Sequence, residues 1–157
     1  ARLALDGIWS RDPDRIEYII ADARIDMARR QPEKAVSKLE ARLQLAPGNF
    51  PLTMAYADAL MADGKPHVAE PVLVAQSKLN PNDPGLWYLL AEIQGLSGNI
   101  VGLHQSRAEY FILNGNLDQA EKQLTYALKL TRGDFLNSAK INQRLADIAQ
   151  MRAQMDG

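Results

Sequence analysis

The chain's 157 residues suffice for one domain with a sizeable core, and 24% charged against 46% hydrophobic residues describe an ordinary soluble protein, with nothing that suggests disorder. Its 18 basic and 19 acidic residues are scattered along the sequence to a net charge of -1. That excludes a basic stripe for a phosphate backbone and a polybasic membrane patch, so nucleic acid is not an expected partner. A cysteine count of zero removes disulfide staples, thiolate zinc sites and cysteine nucleophiles, and it is compatible with either redox compartment. No apolar run approaches the roughly 20 residues of a spanning helix, so the chain is read as not membrane-embedded. It opens on Ala1 with no initiator Met and no signal-peptide pattern, and a leader or a larger upstream domain is therefore expected before it.

In chain order, residues 1–12, with Leu3, Leu5, Ile8 and Trp9, read as a lead-in, a linker or the remnant of an earlier helix. Hydrophobic spacing then predicts helices over 13–29, 32–45, 50–63, 66–79, 84–96, 100–114, 117–131 and 134–154, with no strand. Pro32, Pro66 and Pro84 fall at helix starts, where a missing N–H costs nothing. The LNPNDPG stretch from Leu79 to Gly85 is a turn, with Asn82 or Asp83 placed to cap the next helix. In the last helix Arg144, Asp147, Gln150, Arg152 and Gln154 alternate with Ile141, Leu145, Ile148 and Met151, the pattern of a helix that closes an open edge.

A period runs through these elements. Pro47 and Pro81, Ala57 and Ala91, and Gly64 and Gly98 are each 34 residues apart, and in this spacing the chain resembles the tetratricopeptide repeat. That resemblance implies pairs of antiparallel helices meeting through small residues. Repeats are read at 16–49, 50–83 and 84–117, with an overlapping irregular unit at 101–131 and a cap at 134–154, the whole repeat domain covering 13–157. In the first, Ile19, Ala23, Pro32, Ala35, Leu39 and Pro47 take packing positions, and Arg30 stands in the usual glycine slot of the turn. The second supplies Tyr56, Ala57, Leu60, Gly64, Ala69, Leu73 and Pro81; the third supplies Trp87, Leu90, Ala91 and Gly98. Gly115 then follows Gly98 after only 17 residues, so one helix belongs to two overlapping units, the second packed by Ala108, Phe111, Leu117, Ala120, Leu124 and Ala127. The fold class expected is an all-α solenoid of about eight antiparallel helices with a long C-terminal capping helix.

No catalytic motif emerges. His67 and His104 are each without a second His four residues on, and no phosphate loop, serine elbow or dinucleotide fingerprint is present, so no catalytic, cofactor-binding or metal-binding residue is expected in this segment. Asp12 with Asp14 and Asp58 with Asp63 read as capping residues, not acid–base pairs. Trp87 reads as packing, while Trp9 could face a neighbouring domain or fold back over the first helices. The remaining candidate is a partner-binding groove lined by the first helix of each unit. Its residues are Glu17, Ile20, Arg24, Met27 and Ala28; Pro51, Met54, Asp58, Met61 and Ala62; and Gly85, Tyr88, Glu92, Gly95 and Leu96. Methionines give adaptable apolar contact there, and Arg24, Asp58 and Glu92 can fix the register of a bound segment.

The segments LWYLLAEIQGLSGN, HQSRAEYFILNGNLDQAEKQLTYALKL and RGDFLNSAKINQRLADI resemble the C-terminal repeat domain of the beta-barrel assembly-enhancing proteases, periplasmic zinc metallopeptidases. The similarity runs from about Phe50 to Met151 and is most specific at the AEYFILNG helix and the RGDF turn. It implies a periplasmic module that contacts outer-membrane assembly machinery or unfolded barrel substrates, joined in cis to a peptidase domain that carries the zinc. No catalytic residue of that family maps onto this sequence. The competing expectation is an independent adaptor of an envelope, pilus or secretion complex with no protease attached.

Overall fold

The computed structural model describes residues 14–157, and all regular structure among them is helical. The helices are α1 (Asp14–Ala28), α2 (Pro32–Leu45), α3 (Phe50–Ala62), α4 (Pro66–Leu79), α5 (Pro84–Ser97), α6 (Ile100–Leu113), α7 (Leu117–Leu130) and α8 (Phe135–Asp156). The all-α class and the long last helix, 22 residues against 13–15 in the others, are as the spacing predicts. The lead-in 1–12, with Trp9 and Asp12, lies outside the described residues.

The period is visible in the backbone itself. Four turns close with the same long hydrogen bond, from an N–H to the carbonyl five residues earlier: Gln31 to Asp26, Lys65 to Leu60, Asn99 to Gln94 and Asn116 to Phe111. The first three donors are 34 residues apart and the last only 17. This closure requires a left-handed residue just past the helix, which Gly64 (φ 71°) and Gly98 (φ 82°) supply without a Cβ clash. Arg30 adopts the same conformation at φ 58°, so the turn that looked atypical in sequence keeps the repeat's geometry and carries strain for it.

Helix starts follow equally local rules. Asn49, Asp83, Asn99, Asn116 and Asp134 each accept a hydrogen bond from the N–H three residues on, at 2.9–3.2 Å. Asp83, not Asn82, is the cap of α5. Pro32, Pro66 and Pro84 begin their helices. Asp63 lies at the C-terminal end of α3 with its carboxylate 3.2 Å from Lys65 Nζ, so it caps no helix start.

Two compact units divide between Leu79 and Asn80. In the first, α1 packs on α2 and α3, α2 on α3, and α3 on α4. Ala23, Ala35, Leu39, Ala57, Leu60, Ala69 and Leu73 are at most 1% exposed, which is what brings these backbones close. Leu52 is fully buried as well, outside the small-residue pattern. Lys38 of α2 reaches across to α1, with Nζ 2.8 Å from Asp22 and 2.6 Å from the buried carboxylate of Asp26. Both carboxylates raise the pKa of Lys38.

In the second unit α6 packs on both α5 and α7, and α7 on α8. Leu86, Leu90, Ala91 and Ile93 fill the α5 side, while Ala108, Leu117, Ala120, Leu124, Ala127, Ile141 and Ile148 form one core through α6, α7 and α8. Trp87 is half-buried, and its indole N–H donates to the carbonyl of Pro81 at 2.8 Å. The polar residues of α8 do more than face water. Arg144 makes a two-pronged contact to Glu109 of α6, at 2.7 and 2.8 Å, and Arg152 pairs with Asp118, at 2.6 Å, and Glu121 of α7. These pairs hold both guanidinium pKa values above the ordinary one, through Glu109 and Glu121 first.

Candidate functional site

Each unit carries an open cleft. In the first, α1 contributes Ile20, Ala23, Arg24 and Met27, and α3 contributes Pro51, Met54, Ala55 and Asp58, over a floor that includes Leu39. The cleft holds about 360 Å³. Ile20 is 8% exposed and belongs to the floor; Met27 and Met54 are half-buried, and Arg24 and Asp58 stand exposed at the rim. Helical spacing explains the set: Ile20, Arg24 and Met27 lie three and four apart and share one face of α1, as Met54 and Asp58 do on α3. The structure thus brings together five of the residues read from sequence. Glu17, exposed, and Met61, half-buried, line neither this cleft nor the next. Ala28 and Ala62 are exposed at the ends of their helices.

The second cleft lies between α5 and α6 and holds about 500 Å³. Tyr88, Glu92 and Leu96 enter it from α5, as the spacing of that helix predicts, together with Gly95. Sequence reading missed its other wall. Leu103, Arg107, Tyr110 and Phe111 come from α6. The rings form a short aromatic series: Tyr88 and Tyr110 are 5.5 Å apart with their planes at 57°, and Tyr110 and Phe111 are 5.6 Å apart at 67°. The signal for α6 was its place in two overlapping units. A groove taken only from the first helices of units one to three leaves that helix out.

The histidines do not converge. His67 is exposed on α4, and His104 hydrogen-bonds Gln123 at 2.8 Å and lies with its ring 5.5 Å from Tyr126. Among the described residues no three His, Asp or Glu side chains are grouped as a metal ion requires, and the residues present therefore do not fit the zinc that the resemblance implies. None of the helices, among the described residues, is long and apolar enough to cross a membrane.

A family model described as tetratricopeptide repeat matches residues 26–93. The chain carries tetratricopeptide repeats. This repeat fold is a non-catalytic protein-interaction scaffold, and the two clefts are its accessible concavities. The chain is also similar to proteins named beta-barrel assembly-enhancing protease. It is 26% identical to those of Escherichia coli K12 and Shigella flexneri over 97% of its own length, and 24% identical to that of Yersinia pestis over 96%. It spans 31% of the length of each of these relatives.

Proposed function

We propose that this repeat array is the polypeptide-recognition module of a beta-barrel assembly-enhancing protease. On this reading it works in the periplasm, holds a component of the outer-membrane assembly machinery or an unfolded barrel substrate, and presents it to a zinc peptidase domain in the same polypeptide. The zinc belongs to that domain, and the repeats supply binding alone.

The observation that carries the reading is the cleft between α1 and α3, where Ile20, Met27 and Met54 make an adaptable apolar bed framed by Arg24 and Asp58. Methionine conforms to varied side chains, while rim charges select orientation more than strength. The likeness to relatives whose name joins barrel assembly to proteolysis supports the choice of partner class.

A photo-crosslinking residue at Met54 in the full-length protein, activated in cells and followed by mass spectrometry, is expected to capture assembly-machine or barrel polypeptides. Reversing Arg24 and Asp58 together should reduce that capture several-fold, with the helical signal by circular dichroism retained. Unchanged capture in the double reversal would count against the reading.

A further inference from the structure

The second cleft differs from the first in kind. Its walls are aromatic rings at tilted angles, an arrangement that leaves ring faces and edges free for one more ring to pack against. Tyr88 is 62% exposed and Leu96 65%, so much of this apolar lining is open to water. At the rim stand two charges of opposite sign, Glu92 on α5 and Arg107 on α6, both exposed. Neither enters an ion pair among the described residues, either with the other or with a neighbour. By contrast, Arg144 and Arg152 in the same unit are both paired.

From this complementarity we infer that the α5–α6 cleft binds an aromatic side chain of a polypeptide that has a basic residue on one flank, for Glu92, and an acidic residue on the other, for Arg107. The inference rests on the proposed function in taking a polypeptide as the partner, and it adds which side chain anchors it. Tyr88, Tyr110 and Phe111 take the ring. Arg107 offers a planar fork to a carboxylate, and Glu92 turns a second carboxylate away, so the two rim charges set the direction of the segment.

The test is nuclear magnetic resonance titration of the isotope-labelled chain with capped tripeptides. The peptide of lysine, tryptophan and aspartate should shift the amides of Tyr88, Glu92, Arg107 and Tyr110 in a saturable way, and the same peptide with alanine for tryptophan should not. A tryptophan peptide flanked by serines should bind about fivefold more weakly, the size of effect that two exposed ion pairs give. Arg107→Glu should weaken the charged peptide by a similar factor and restore it when lysine replaces the aspartate, a rescue that a misfolded variant could not show. Equal shifts with the alanine peptide, shifts centred on Met54 in the other cleft, or no rescue in Arg107→Glu would each overturn the inference. Partner capture from Met54 in cells without tripeptide binding here would leave the proposed function standing and remove this one.

Discussion

The two units solve one packing problem with different materials. In the first, α1–α4 follow the 34-residue period closely, and the helices meet through buried alanines with one charged link, Lys38 to Asp22 and Asp26. In the second the period halves at α6, which packs on both neighbours, and the last helix is held by Arg144 and Arg152 as well as by Ile141 and Ile148. Regular repetition lets small residues do the fitting. Where the array ends, α8 has a neighbour on one side only, and long polar side chains secure what close packing alone would leave loose.

The contrast can be broken at its strongest point first. Leu39→Ala empties a fully buried position between α1, α2 and α3 and should lower unfolding free energy by about 2–5 kcal/mol in urea melts. Lys38→Met should cost about 1–3 kcal/mol, because it strands the buried Asp26 carboxylate. Adding Asp26→Leu should recover most of that loss, which a purely packing role for Lys38 would not allow.

Two smaller effects sharpen the comparison. Arg30→Gly should stabilise the first unit by about 0.5–1 kcal/mol, since relief of a left-handed arginine outweighs the entropy glycine adds to the unfolded chain. Arg144→Ala should cost about 1 kcal/mol, and the loss should shrink as salt is raised, because the pair with Glu109 is partly open to solvent. Smallest is the cap of α8. Hydrogen bonds from Asn137, its backbone N–H first and then its side chain, hold the Asp134 carboxyl below its ordinary 3.8. Its contribution is complete above 3.8 and is lost as pH falls through the lowered value. Asn137→Ala should bring the carboxyl resonance of Asp134 back toward the ordinary midpoint.

The helices were legible in sequence because their signals are local: prolines at starts, Asn or Asp caps, and glycine past the end. Pairings between distant positions were not. The reach of Lys38 to Asp26, or of Arg144 to Glu109, depends on how one helix is rotated against another, and spacing along a single helix does not encode that rotation. Leu52 and Leu86, both fully buried, escaped for a related reason, as they point between helix pairs instead of along the small-residue seam. Of the candidate site, α5 and the facing surfaces of α1 and α3 were read from spacing. The contribution of α6 required seeing that a helix in two overlapping units shows its side chains to both.

The aperture of the aromatic cleft is governed by side chains that are missing. A Cβ at Gly95 would lie 2.8 Å from Leu103, and one at Gly102 would lie 2.5 Å from Asn99 and 2.7 Å from Gln94. A single methyl group at Gly102 must therefore push aside either the cap of α6 or the buried Gln94–Ser106 hydrogen bond. Ligand selectivity in this half of the molecule would then be tuned from behind the rings, by residues that no bound peptide touches.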